Sequence, residues 1–89
     1  MENFVKSPQE EVISLHYTER IRALREDNDL SQAVVAKAIP VAQTTYSDYE
    51  KGHLRMPIEI AIDLAIFYDV DINYLLGIIN IKKKYPKKD

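Results

Sequence analysis

The sequence predicts an all-α fold, a compact bundle of about five helices, on three observations. Apolar residues recur at three- and four-residue spacing along most of the chain; Ser, Asp, Pro and Gly punctuate those runs where helix caps and stops belong; and no second segment is available to pair with a lone strand. At 89 residues, 46% of them hydrophobic, the chain suits one small core. A domain of this length buries only about 60–65% of its unfolded surface, which leaves no room for a second domain or a deep substrate cavity.

The first helix starts at Ser7, Pro8 and Glu10: Ser as N-cap, Pro at the first helical position where its missing N–H costs nothing, and Glu closing a capping box. Ile13, Tyr17, Ile21 and Leu24 then share one helical face. Whether this stretch is one helix or two stays open, because Thr18 is a second capping candidate. Asn28 and Asp29 end the pattern with short polar side chains that compete for backbone groups. Ser31 caps a second helix that Pro40 stops. After Val41 and Ala42, residues 43–50 form a third helix with Tyr46 and Tyr49 turned inward and Lys51 and Gly52 at its stop.

Residues 57–68 are ambiguous by pattern, since Ile58, Ile60, Ile62, Leu64 and Ile66 alternate as in a strand. The helix reading prevails because Pro57 suits a first helical position and the run is about twelve residues long. Glu59 and Asp63 also fall four apart on one wet face. Asp71 caps a short fifth helix that Gly77 ends. Ile78, Ile79 and Ile81 then either finish the core or form an apolar dimerisation patch, and a lysine-rich, flexible tail follows. The expected organisation is an N-terminal helical extension over 1–16, a domain over 17–77, and the patch and tail over 78–89.

Twelve Lys and Arg against fourteen Asp and Glu give a net charge of −2, which does not by itself point to nucleic acid. The distribution is uneven. Residues 80–89 hold five lysines and one aspartate, a local +4, so residues 1–79 hold seven basic and thirteen acidic groups, or −6. The tail reads either as a solvated end or as a phosphate-contacting segment. Absence of cysteine excludes disulfides and thiolate-bound zinc. Neither an apolar run long enough to cross a bilayer nor a signal-peptide core occurs, so a cytoplasmic protein without membrane association is expected.

The third helix presents a short polar face of Gln43, Thr44, Ser47 and Asp48. With the second helix it makes a helix-turn-helix over about 31–50, an arrangement whose second helix enters the major groove. The segments 20–26, Leu30-Ser31-Gln32, Val35-Ala36, 43–52, Pro57, Leu64-Ala65 and 74–77, in that order, resemble the Cro/cI-type helix-turn-helix family, also called XRE-type regulators. The resemblance covers about two thirds of the chain. It implies a five-helix DNA-binding domain of the lambda-repressor-like type that binds operator DNA as a dimer and usually represses transcription. By position it implies a phosphate contact for Gln32 and base-edge contacts for Gln43, Thr44, Ser47 and Asp48. Thr45 is placed at the groove edge, and Lys51 supplies a nearby basic group.

The residue chemistry agrees with those roles: glutamine can bond adenine N6 and N7 together, threonine offers a hydroxyl and a methyl, and aspartate can accept from cytosine N4. Two positions depart from the family pattern. Pro40 stands where glycine commonly closes the second helix, and Ala42 stands where a Ser or Thr cap is usual. A protein-interaction module on the same fold, antitoxin-like or an anti-repressor partner, is the alternative that Asp48, Pro40 and the acidic body favour. Glu50 is read as an internal ion-pair partner for Arg20 or Arg22. Enzyme chemistry finds no support: His16 and His53 are isolated, and no nucleophile elbow, phosphate-cradling loop or dinucleotide fingerprint occurs. No metal or cofactor is expected.

Overall fold

A computed structural model describes the backbone over residues 8–86 and side chains from Tyr17 to Pro86. It contains five helices in order: α1 (Pro8–Asp27), α2 (Gln32–Ala38), α3 (Gln43–Lys51), α4 (Ile58–Tyr68) and α5 (Ile72–Leu75). No strand occurs among the described residues. α1 is a single helix that passes through Thr18 without a break. The Ser7–Glu10 capping box lies outside the described residues.

α2 begins as its sequence predicts, with the Ser31 hydroxyl accepting from the Val34 N–H at 3.2 Å. Its end answers the question posed by Pro40. Ile39 closes the helix at φ −102°, and the Val41 N–H reaches back to the Ala36 carbonyl at 3.0 Å, so the turn is made without a left-handed residue. α3 ends on Gly52 at φ 77°, and the His53 N–H bonds the Asp48 carbonyl at 2.9 Å.

Residues 58–68 are helical, as length argues and alternation does not. Burial there follows the helical period: Ala61, Leu64 and Ala65 face inward, while Ile58, Ile62 and Ile66 face out. Pro57 is the N-cap of α4 rather than its first residue. Its φ of −64° suits either position, but its extended ψ of 153° leaves it outside the helix, with its carbonyl accepting from Ile60 and Ala61. The Asp71 side chain caps α5 by accepting from the Asn73 N–H at 2.7 Å.

The core joins all five helices through Ile21 and Leu24, Val35 and Ile39, Tyr46 and Tyr49, Leu64, and Leu75, with Val70 between α4 and α5. α3 packs on both α1 and α2, which fixes the helix-turn-helix against the long first helix. At the opposite end Arg20 acts as a clamp. Its Nη1 donates to the carbonyls of Tyr74 (2.6 Å) and Ile79 (3.2 Å), its Nη2 to Asn80 Oδ1 (3.0 Å), and its guanidinium lies 4.0 Å from the Tyr74 ring centroid.

The lysine-rich segment expected to be flexible after the Ile78–Ile81 patch keeps contact with the domain as far as Tyr85. Beyond the Arg20 clamp, the Lys83 carbonyl accepts from the Asp71 N–H at 2.7 Å, and half-buried Tyr85 packs on the core. Lysine content sets the solubility of this segment, but one backbone bond and one aromatic ring set its path. Ile78 and Ile81 remain 52% and 71% exposed, so they do not complete the core.

Candidate nucleic-acid interface

α3 divides its side chains between two faces. At about 100° per residue, positions 43, 44, 47, 48 and 51 fall within an arc of about 140°. Gln43, Thr44 and Lys51 on that arc are exposed, and Ser47 and Asp48 are partly exposed. Thr45 sits at its margin, also partly covered. Tyr46, Tyr49 and Glu50 are buried: Tyr49 lies opposite the arc, and Glu50, about 20° from Gln43, lies at the edge where α1 and α2 cover the helix. The structure therefore gathers six of the seven predicted residues on one helix surface.

The seventh, Gln32, occupies the first turn of α2 and is half-buried. Its Nε2 donates to Glu50 Oε1 at 3.1 Å. Glu50 is the centre of a polar cluster. Arg25 grips its carboxylate with two hydrogen bonds, Nε to Oε2 at 2.7 Å and Nη2 to Oε1 at 3.1 Å, and the Tyr46 hydroxyl donates to Oε2. Arg25 Nη1 also donates to the Leu30 carbonyl at 3.0 Å. One carboxylate thus ties α1, α2 and α3 together at the base of the helix-turn-helix.

Glu50 pairs with Arg22, one of the two expected partners, only at long range, while Arg25, which was not expected, is its main partner. Arg22 stays at 3.9 Å on the exposed side, and Arg20 is committed to the α5 end. Arg25 lies in the last turn of α1, where the 28–30 turn brings α2 alongside, so it alone reaches both Leu30 and Glu50. The sequence marks Glu50 as an internal ion-pair partner, but not Arg25, Tyr46 and Gln32 as the groups that meet it. The one available signal of that cluster is the four-residue spacing of Tyr46 and Glu50 on a single helix face.

The electrostatics follow from burial and contact. Burial alone would raise the Glu50 carboxyl, but hydrogen bonds from Arg25, Tyr46 and Gln32 outweigh it and hold the group below the ordinary carboxylate range. Its hydrogen bond to Glu50 raises the Arg25 guanidinium further. Burial, then the hydrogen bond to Glu50, pushes the Tyr46 phenol well above its usual value. Burial also pushes Tyr68 up to about 12, with the Glu50 charge adding to it. On the outer face, Asp48 Oδ1 lies 3.8 Å from His53 Nδ1, so this carboxylate has a basic neighbour when the imidazole is protonated.

Among the described residues no group of three His, Cys, Asp or Glu is placed to hold a metal, and no helix is long and apolar enough to cross a membrane. Residues 21–75 match the helix-turn-helix family. An uncharacterised HTH-type transcriptional regulator, YobD of Bacillus subtilis (strain 168), is 34% identical over 62 residues, which are 70% of this chain and 55% of the relative. The cryptic phage CTXphi transcriptional repressor RstR of Vibrio cholerae is 41% identical over 61 residues, 68% of this chain and 55% of the relative. The chain thus spans about half the length of these curated relatives. No solved structure matches it.

Proposed function

The chain belongs to the Cro/cI-type helix-turn-helix family, and from that premise we propose that it binds double-stranded DNA sequence-specifically, as a homodimer, and represses transcription. The observation that carries this reading is the division of α3: one face is locked into the bundle by Glu50, and the other offers exposed Gln43 and Thr44 and partly exposed Ser47 and Asp48. The DNA-binding unit is residues 17–77, which hold the matched segment, and α3 lies in the major groove.

Gln43 at the start of α3 bonds adenine N6 and N7 together, and Thr44 meets a thymine methyl or a base-edge acceptor. Ser47 and Asp48 read the next bases, Asp48 by accepting from cytosine N4. Thr45 and Lys51 flank the groove and meet the backbone. Gln32 keeps one amide hydrogen on Glu50 and directs the other to a phosphate oxygen, so that Glu50 orients it. Pairing with Arg25 offsets the carboxylate's repulsion of that phosphate. In a dimer the two copies of α3 stand about 34 Å apart, one turn of duplex.

Selection of the purified chain on random-sequence duplexes at low and moderate salt tests the reading. A shared motif is expected to emerge, with affinity falling steeply as salt rises; if no sequence is enriched at any salt, the proposal fails. Gln43→Ala should lose about 1–3 kcal/mol of discrimination at one or two base positions, whereas Gln32→Ala should weaken all sites alike. Identical profiles for the two variants would remove the distinct roles given to them.

A further inference from the structure

Two patches of this molecule are exposed, apolar and oppositely charged. The first is on α4, where Ile58, Ile62 and Ile66 recur every four residues, 56%, 36% and 55% exposed, and form one ridge along the helix. Exposed Glu59, Asp63 and Asp69 accompany that ridge. The second patch follows α5: Ile78 and Ile81 are exposed, and Lys82, Lys83 and Lys84 are exposed beside them. Three acids thus border one set of isoleucines and three lysines border the other.

The patches adjoin. Asp71, two residues past the C-cap of α4, donates its N–H to the Lys83 carbonyl at 2.7 Å, which lays the lysine segment beside the C-terminal end of α4. This bond and the Arg20 contacts to Ile79 and Asn80 hold the segment in place, and α4 remains uncovered with it there. Residues 78–86 therefore do not cover the ridge. A second copy can cover both patches at once, because a two-fold axis between neighbouring complementary patches carries each onto the other.

We infer that the chain dimerises by this exchange: the α4 ridge of one protomer receives the 78–84 segment of its partner, isoleucine against isoleucine and the acids of α4 against the lysines. The inference rests on the dimeric part of the proposed function and names its surface. It also gives the lysines a protein contact in place of a phosphate contact, and it engages residues apart from those proposed to read DNA.

Charge reversal tests it, with mass read by sedimentation of the full chain without DNA. The unmodified chain should sediment as a dimer whose dissociation constant rises with salt. Glu59→Lys with Asp63→Lys should be monomeric at concentrations where the unmodified chain is dimeric, as should Lys82→Glu with Lys83→Glu and Lys84→Glu. An equimolar mixture of the two variants should restore the dimer mass, since both contacts of the mixed pair again join opposite charges. Ile62→Gln should weaken association at least tenfold by a route independent of charge, with helical content by circular dichroism unchanged. A monomeric unmodified chain, a reversed variant that associates as the unmodified chain does, or a mixture that stays monomeric overturns the inference. Because no DNA is present, these outcomes are separate from the success or failure of the duplex selection.

Discussion

The two faces of α3 differ in what fixes them. On the inner face Tyr46, Tyr49 and Glu50 are buried, and the Glu50 carboxylate receives donors from α1, α2 and α3 itself. On the outer face Gln43, Thr44 and Lys51 are exposed. A side chain with four hydrogen bonds in the interior has one arrangement, whereas an exposed side chain is free to meet whatever lies opposite. Under the proposed function, stability and recognition therefore fall to different sides of the same nine-residue helix. A change on one side should move one property and leave the other nearly still.

Glu50→Ala should have the largest effect. It leaves the Arg25 guanidinium without its partner in a largely buried site, and it releases Tyr46 and Gln32 together. Removing one member of a buried ion pair costs about 3–5 kcal/mol, so a domain of this size should lose most of its stability in a urea titration. Gln43→Ala should stay within about 0.5 kcal/mol in the same measurement, as surface substitutions do. If both variants melt alike, the outer face also supports the fold and the division fails.

Next in size are two tyrosines that contrast within the interior. Tyr46→Phe removes a hydrogen bond to a charged acceptor and should cost about 1.5–3 kcal/mol. Tyr68→Phe should be neutral or slightly stabilising, because the Tyr68 hydroxyl is buried with no hydrogen-bond partner among the described residues. The same pair gives the pH dependence. Both phenols are raised in the folded state, so their contribution is fully present below the unfolded value near 10 and is lost as pH rises through the folded values. Stability should fall by up to about 1.4 kcal/mol per pH unit for each tyrosine, and Tyr68→Phe should reduce that slope. At the acid end the sign reverses. The depressed Glu50 group stabilises above the unfolded value near 4.3, and that contribution is lost as pH falls through the folded value. A flat profile from neutral pH to 11 would mean that the phenols are not held as their burial implies.

These contrasts explain which features were legible in the sequence. Helix positions were, because Ser31, Pro40, Gly52 and Asp71 act on the backbone within a few residues of themselves. So was the exposure of Gln43, Thr44 and Lys51, which a helix carrying two inward tyrosines turns outward, although the same pattern does not show that Glu50 is buried. The main partner of Glu50 was not legible. Arg20, Arg22 and Arg25 are chemically equivalent on paper, and only the docking of α2 and α3 against α1 selects Arg25. The path of 78–86 was hidden for the same reason. Lysine composition describes its solvation, while Asp71, Arg20 and the ring of Tyr85 determine where it runs. Alternation alone would have hidden the ridge on α4, because it mixes Ile58, Ile62 and Ile66 with residues that the helical period sends inward; the length of the run is what reveals the helix.

The smallest expected effect probes the point where the two faces meet. Ala42 has the backbone of an N-cap, φ −64° and ψ 146°, but no side-chain oxygen to accept from the first turn of α3; Ser31 does this for α2. Ala42→Ser supplies that acceptor at an exposed position and should raise stability by about 1 kcal/mol in a thermal or urea melt. The substitution lies one residue before Gln43, at the edge of the reading face, yet its hydroxyl turns toward the helix backbone and leaves the outward arc unchanged. The duplex motif enriched by the variant should therefore match that of the unmodified chain. A motif altered at the base assigned to Gln43, together with the gain in stability, would show that the cap and the reading face share the same amide groups, and that the two sides of α3 are coupled at its first turn.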